Sequence, residues 1–294
     1  MKIEENVRLS RFTTLGTGGP ASTFAQPRSV AELQEALRSA SERGLPVAVV
    51  GLGSNLLVAD AGFEGLVLKL GGELARAEVD GDRLVAGGGA ANAVCLHRAR
   101  DAGLGGFEFA CAIPGTVGGG VRMNAGAYGS DWAGILERAL VVDGSGPRWR
   151  TADELGLRYR HSDLVSGEVV AQVEFRLAPR PVEEIKAVVA GLQAQRKAAQ
   201  PTNKRTYGSV FKNPWHELSA GRLLEACGLK GYRAGGAQIS PRHANFIENA
   251  GEARSEDALA LMVEARRRAW EEYGLELEHE VVLLGELELP PIAK

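Results

Sequence analysis

The sequence predicts a mixed helix-and-strand protein of the α/β or α+β class in two domains, and three observations carry that prediction. Segments with apolar residues at helical spacing alternate along the chain with short β-rich apolar runs. Pro179 and Pro181 separate a long first portion from a second that opens on a helix. At 294 residues, with 45% hydrophobic and 24% charged residues, the chain can bury a substantial core.

From the N-terminus, residues 30–43 place Val30, Leu33, Ala36, Leu37 and Ala40 on one helical face, and the apolar run at 46–50 follows as a buried strand. It ends in Gly51-Leu52-Gly53-Ser54-Asn55-Leu56-Leu57, a tight turn whose glycines, hydroxyl and amide suit a polar ligand. Residues 66–70 and 84–86 read as strands, and Gly87-Gly88-Gly89 opens a helix over 91–102. The stretches 136–142 and 169–177 are β-rich; in the second, Val173, Phe175 and Leu177 alternate with Gln172, Glu174 and Arg176. A long helix over 182–199 follows the prolines, so the boundary is set there, giving domains 1–180 and 181–294. Beyond it come a turn at Gly208, a helix over 218–227, a strand at 245–247, a helix over 255–273 started by Ser255, and a last strand over 276–284.

The run Ile113-Pro114-Gly115-Thr116-Val117-Gly118-Gly119-Gly120-Val121-Arg122-Met123-Asn124-Ala125-Gly126-Ala127-Tyr128-Gly129 is the most informative stretch. Glycine is entropically costly to order, so this density inside a folded domain implies positive φ angles or a ligand close to the main chain. Successive bare N–H groups also form concave anion sites. Collagen is excluded because glycine does not recur every third residue. A flexible linker would not interleave Ile113, Val117, Val121, Met123 and Tyr128.

The formal net charge of -3 and pI near 6.0 supply no basic field for nucleic acid, so no nucleic-acid partner is expected. Cys95, Cys111 and Cys227 form no C-x-x-C pair and read as reduced thiols of a cytoplasmic chain. The N-terminus lacks a signal-peptide pattern and no stretch spans a membrane without charges; a full-length, membrane-free chain is expected, a monomer by default since nothing in the sequence fixes the oligomeric state. No P-loop is present. Gly16-Thr17-Gly18-Gly19-Pro20-Ala21 fits G-x-G-x-x-A, but no strand leads into it and Pro20 interrupts the helix that follows in a dinucleotide fold. His216-Glu217 and His279-Glu280 resemble the start of H-E-x-x-H, yet Ala220 and Leu283 replace the second histidine, so no metal is expected.

Taken together, the glycine loops and several further motifs resemble the UDP-N-acetylenolpyruvoylglucosamine reductase (MurB) family. The similar pieces are Thr14-Leu15-Gly16-Thr17-Gly18-Gly19-Pro20-Ala21, the 51–57 turn, the 113–129 run, Tyr159-Arg160-His161-Ser162 and Gly208-Ser209-Val210-Phe211-Lys212-Asn213-Pro214. Ala220-Gly221, Gly228-Leu229-Lys230-Gly231, His243-Ala244-Asn245-Phe246-Ile247 and Leu277-Glu278-His279-Glu280-Val281 complete them in family order. The resemblance implies an α+β fold: an FAD-binding domain of the vanillyl-alcohol-oxidase (PCMH) type, made of two α+β subdomains, followed by an α+β substrate-binding domain. The short stretch between Arg160 and Ser209 resembles the shorter, type II subtype, which lacks an inserted substrate-capping loop.

The activity so implied moves a hydride from NADPH to non-covalent FAD and then to C3 of a UDP-linked enolpyruvyl sugar, giving UDP-N-acetylmuramate for peptidoglycan. Hydride attack on an enol ether leaves charge on its carboxylate, so electrostatic stabilisation is the central demand. By resemblance Arg160 faces that carboxylate, with the planar fork that suits it. Ser209 is the implied proton donor to C2, a weak acid that serves only a strongly basic enolate. Glu280 is the implied second stabiliser and must be protonated to donate. Taken alone, these residues read as a strand-end cation, a turn serine and an outward strand residue.

FAD contacts are implied at Gly51, Leu52, Gly53, Ser54, Asn55, Leu56, Pro114, Gly115, Thr116, Val117, Gly118, Gly119, Asn124, Ala125, Gly126 and Val170, and substrate contacts at Tyr159, Lys212, Asn213 and His243. The chain departs from the family pattern at Thr14, usually Asn, at Cys111, usually small, and at Gly120, commonly Ala. Two other readings compete: a flavin-dependent oxidase on the same scaffold, and a flavin-binding module without turnover.

Overall fold

Ser29 accepts a hydrogen bond from the Glu32 N–H at 3.2 Å and so starts the helix Val30–Glu42 of the computed structural model, which describes residues 1–292. The chain divides into two units. Met1–Glu5, Thr23–Leu52 and Glu64–Arg196 make the first; Asn6–Ser22, Gly53–Phe63 and the chain from Lys197 onward make the second. Helices and mainly antiparallel strands mix in both, so of the two classes the sequence left open, the molecule is α+β.

Strands Lys2–Arg8, Pro20–Gln26, Phe63–Leu68 and Val47–Val49 form one sheet in that order. Val47–Val49 pairs in parallel with Leu66 to Leu68. A second, five-stranded antiparallel sheet runs Gly146–Thr151, Leu136–Asp143, Val169–Arg176, Arg83–Gly87, Ala77–Asp80. Leu33, Leu37 and Ala40 of the first helix share one core with Leu66 and Leu68 of the first sheet and with Val142, Val169 and Ala171 of the second. The helical spacing read from 30–43 therefore buries its face between the two sheets.

The other face of the five-stranded sheet carries the helices Asn92–Asp101 and Val117–Arg122 over an aromatic centre. Trp132 is fully buried, with ring centroids 5.1 Å from Phe109, 5.4 Å from Phe107 and 6.0 Å from Phe175. Because Val169–Arg176 is covered on both faces, its apolar alternation is incomplete. Glu174, expected outward, is buried and takes both prongs of the Arg138 guanidinium at 2.9 Å.

Helix Val182–Ala199 follows the prolines over the residues expected, with Ile185 fully buried and Val189 packed on the core of the first unit. That packing keeps the chain in the first unit through Arg196, beyond the boundary drawn at the prolines, while Asn6–Ser22 and Gly53–Phe63 belong with the second.

The second unit holds an antiparallel sheet ordered Thr206–Ser209, Phe246–Asn249, Ala237–Ile239, Arg233–Ala234, covered by helices Ala220–Ala226 and Ser255–Tyr273. Asp60 caps the longer helix, accepting from the N–H groups of Ser255 at 3.1 Å and Glu256 at 3.2 Å, and Gly274 ends it at φ +64°. The last strand is Val282–Leu284, paired in parallel with Leu56–Val58, rather than the whole of 276–284. Upstream, the same extended chain bonds to Val210 and Lys212 instead, so its partner changes near Val281 and no single strand forms.

Candidate active site

The glycine run is not one loop. Its centre is the six-residue helix Val117–Arg122, and several glycines are there because a side chain would collide with protein. A Cβ on Gly118 would lie 2.9 Å from the Gly88 carbonyl oxygen; on Gly120, 2.7 Å from the Trp132 ring; on Gly126, 2.5 Å from the Ser130 carbonyl oxygen. Gly115 at φ +154° and Gly129 at φ +82° supply backbone that other residues rarely adopt. A Cβ on Gly119 meets only Thr116 Oγ1 at 3.6 Å, an ordinary contact. Close packing thus joins positive φ as a cause of the glycine density.

Arg160 stands on a two-residue turn. Arg158 and His161 exchange main-chain hydrogen bonds of 3.1 and 3.0 Å, leaving Tyr159 and Arg160 at the tip, and Arg160 takes φ +50°. Glycine or asparagine usually fills that position, and a bulky residue there costs about 1–2 kcal/mol, a strain typical of functional sites. The turn is docked on the glycine run at three places. Arg160 Nη2 donates to the Gly126 carbonyl at 2.6 Å, Asn124 Nδ2 to the Arg158 carbonyl at 3.1 Å, and Ser162 Oγ to the Arg122 carbonyl at 2.7 Å. The guanidinium lies 5.1 Å from the centre of the Tyr159 ring, which is 52% exposed.

Ser209 and Glu280 lie in the second unit on neighbouring chains. The Glu280 N–H donates to the Val210 carbonyl at 2.7 Å, the Lys212 N–H to the Glu278 carbonyl at 2.9 Å, and Phe211 faces His279 between them. Ser209 ends its strand opposite Phe246 after an irregularity at Gly208, whose φ is +86°. Asn55 Nδ2 donates to the Glu280 carbonyl at 3.1 Å, and Asn55 accepts from the Val282 N–H at 3.0 Å, so the first glycine turn fixes the main chain on either side of Val281.

The four expected substrate contacts have defined settings. Lys212 Nζ pairs with Glu278 Oε1 at 2.5 Å, so its charge is already countered. Asn213 Oδ1 accepts from the Ala220 N–H at 3.0 Å, at the start of a helix. His243 packs on Gly221, where a Cβ would lie 2.5 Å from its Cε1, and on the Phe246 ring at 4.9 Å. Burial holds its imidazole below the ordinary histidine pKa, and its Nδ1 accepts from the Asn245 N–H at 3.2 Å, which leaves Nε2–H as a neutral donor. Tyr159 is described above with Arg160.

Several implied FAD residues have structural duties. Gly53, at φ +65°, has no room for a side chain: its Cβ would lie 1.8 Å from the Phe12 carbonyl oxygen. Thr14 Oγ1 donates to the carbonyls of Gly53 at 3.1 Å and Thr206 at 2.7 Å, so the departure from Asn at this position still holds the turn. Leu56 opens the strand Leu56–Val58, and Val117 and Val170 bury their side chains, leaving main chain for any ligand. The Asn124 carboxamide is spent within the protein.

The two glycine-rich stretches meet in the first unit at Gly51 and Thr116, where a Cβ on Gly51 would lie 2.5 Å from Thr116 Oγ1. Sequence reasoning missed Lys69, whose Nζ donates to the Gly51 carbonyl at 2.7 Å and whose pKa is lowered by burial. Its only signal was a cation ending an apolar strand. An ammonium, a hydroxyl and glycine main chain are the donors a diphosphate requires, so these residues fit FAD.

Comparison with known proteins adds independent findings. Residues 200–284 match the family model of the UDP-N-acetylenolpyruvoylglucosamine reductase C-terminal domain, and residues 21–152 match that of an FAD binding domain. UDP-N-acetylenolpyruvoylglucosamine reductase 2 of Symbiobacterium thermophilum is 44% identical over 286 residues, covering 97% of this chain and 92% of that one. The Sphingopyxis alaskensis UDP-N-acetylenolpyruvoylglucosamine reductase is 43% identical over 98% of this chain and 96% of its own. The crystal structure of the reductase from Thermus caldophilus superposes with a TM-score of 0.85 at 39% identity, covering 97% of this chain and 100% of that chain.

Proposed function

The chain belongs to the UDP-N-acetylenolpyruvoylglucosamine reductase family, and from that premise we propose that Arg160, Ser209 and Glu280 carry its chemistry. The enzyme is an FAD-dependent oxidoreductase of peptidoglycan synthesis that uses NADPH to reduce a UDP-linked enolpyruvyl sugar to UDP-N-acetylmuramate. When bound, FAD supplies two-electron hydride transfer between NADPH and the enolpyruvyl carbon C3.

Hydride arrival at C3 pushes charge onto the substrate carboxylate. The Arg160 guanidinium meets that charge with a planar fork, held by Gly126 and by the docked turn. The Ser209 hydroxyl gives its proton to C2 of the resulting enolate. Glu280 donates a hydrogen bond to the same charge from its protonated carboxyl. The observation that carries this assignment is the 2.7 Å bond from the Glu280 N–H to the carbonyl of Val210, which keeps Glu280 on the chain beside Ser209.

In the first unit we assign FAD to Gly51 and Leu52, to Pro114, Gly115, Thr116, Val117, Gly118 and Gly119, and to Ala125 and Gly126, largely through main chain, with Lys69 as the cation. Tyr159, Asn213 and the neutral donor His243 are our assignments for the nucleotide sugar, and Lys212 reaches it only by sharing its charge with Glu278. Free thiols at Cys95, Cys111 and Cys227 suit a cytoplasmic, NADPH-supplied compartment. No described helix is long and apolar enough to cross a membrane.

Anaerobic stopped-flow absorbance tests the reading. NADPH should bleach the flavin, and UDP-N-acetylenolpyruvoylglucosamine should restore its colour within the turnover time. Bleaching without restoration sinks it.

A further inference from the structure

Asn124 is 1% exposed and adopts φ +37°, a conformation asparagine tolerates better than most residues. Its carboxamide joins three segments. Nδ2 donates to Asp131 Oδ2 and to the Arg158 carbonyl, each at 3.1 Å, and Oδ1 accepts from the Ala133 N–H at 2.9 Å. Its own N–H donates to the Val121 carbonyl at 3.0 Å, so the residue is locked to the end of the glycine helix as well.

The bond to Arg158 matters most for chemistry. Arg158 opens the four-residue turn that holds Arg160 at φ +50°, and its carbonyl also accepts from the His161 N–H at 3.0 Å. Asn124 therefore pins the base of the turn while Gly126 pins the guanidinium at its tip. Aspartate has the same shape but fails twice here, since it has no N–H for Arg158 and would set a second carboxylate against Asp131.

We propose that Asn124 is a positioning residue for Arg160, fixing the strained turn so that the guanidinium meets the developing charge without reorganising. The inference rests on the reading of Arg160 as the cation for the substrate carboxylate. The carboxamide of Asn124 is engaged with Asp131, Arg158 and Ala133, so its proposed part is exerted through the turn that carries Arg160. A displaced cation costs most at the step where charge develops, since misplacement by about 1 Å can cost on the order of 100-fold.

The double variant N124D/D131N isolates the effect. The carboxylate it places at position 124 still accepts from the Ala133 N–H. The carboxamide it places at position 131 supplies the N–H for the bond between the two side chains and still accepts from the Gly134 N–H, so only the bond to the Arg158 carbonyl is cut. Asn124→Gly, which accepts φ +37° and cuts all three bonds, is the second variant. Arg160→Ala is run beside them. Flavin content is measured first, then each half-reaction by anaerobic stopped-flow at saturating substrate.

Reoxidation by the enolpyruvyl sugar should slow about 10- to 100-fold in both Asn124 variants, in kcat rather than KM, with no matching loss in reduction by NADPH. If Arg160→Ala slows reoxidation while N124D/D131N reoxidises at the wild-type rate, the positioning role is wrong and the reading of Arg160 stands. If Arg160→Ala reoxidises normally, both fall. Equal losses in the two half-reactions, or flavin lost from both Asn124 variants, assign Asn124 to folding or to holding the flavin and overturn the proposal.

Discussion

The Arg160 guanidinium donates through Nη2 to the carbonyl of Gly126 at 2.6 Å. The glycine run thus also holds the guanidinium that we propose as the cation for the substrate carboxylate. A lysine at 160 offers a rotatable point charge that cannot satisfy the Gly126 carbonyl and meet a planar carboxylate edge-on together. Arg160→Lys should therefore bleach normally with NADPH, yet reoxidise about 10²–10³-fold more slowly. Stopped-flow traces slowed alike in both halves would place Arg160 in flavin binding instead.

Ser209→Ala removes the proposed proton donor from a half-buried strand end without opening a core cavity. The reoxidation rate should fall about 10²–10⁴-fold, the range of general acid catalysis, while the melting temperature and the rate of NADPH reduction stay close to wild type. An unchanged reoxidation rate would show that C2 is protonated by another group.

What was legible in the sequence follows the strength of the local signal. Helix Val30–Glu42 announces itself by periodicity and Val182–Ala199 by the prolines before it, and the structure places both, with Ser255–Tyr273, within a residue of expectation; Ser255, read as the start signal of the last, is its first helical residue, and Asp60 accepts from the N–H groups there. The helix Val117–Arg122 was hidden because three consecutive glycines have poor helix propensity; its support is tertiary, from the Trp132 ring filling the space beside Gly120. The last strand was overextended because alternation cannot say where a chain changes partners, as this one does near Val281. Arg160, Ser209 and Glu280 could be put forward as candidates only together and through family resemblance. The ties that hold them, from Asn55, Asn124 and Gly126, join residues far apart in sequence and carry no local signature.

The structure gives a reason for glycine at position 120. A Cβ there would lie 2.7 Å from both Cε2 and Nε1 of the fully buried Trp132. The ring has no easy escape, since Phe107, Phe109 and Phe175 pack around it. Despite the better helix propensity of alanine, Gly120→Ala should destabilise by about 1–3 kcal/mol from overpacking. Thermal unfolding checks this, and a raised melting temperature would mean that the helix shifts freely off the ring.

The pH dependence of stability has an identifiable source in the second unit. Glu264 accepts from Arg267 Nε and Nη2 at 2.8 Å and from Arg268 Nε at 2.7 Å, and these bonds, Arg267 first, hold its pKa down at about 2. The depressed carboxylate contributes stability that is fully present above its ordinary pKa of 4.5 and is lost as pH falls towards 2. Its side chain is 19% exposed but those of Arg267 and Arg268 are 49% and 26% exposed, so solvent screening reduces the contribution to about 1 kcal/mol. Glu264→Gln should therefore melt below wild type by a constant margin from pH 8 to about pH 5, and the two curves should converge between about pH 4.5 and 2. A margin that persists undiminished to about pH 2.5 would trace the loss to packing of the side chain rather than to its charge.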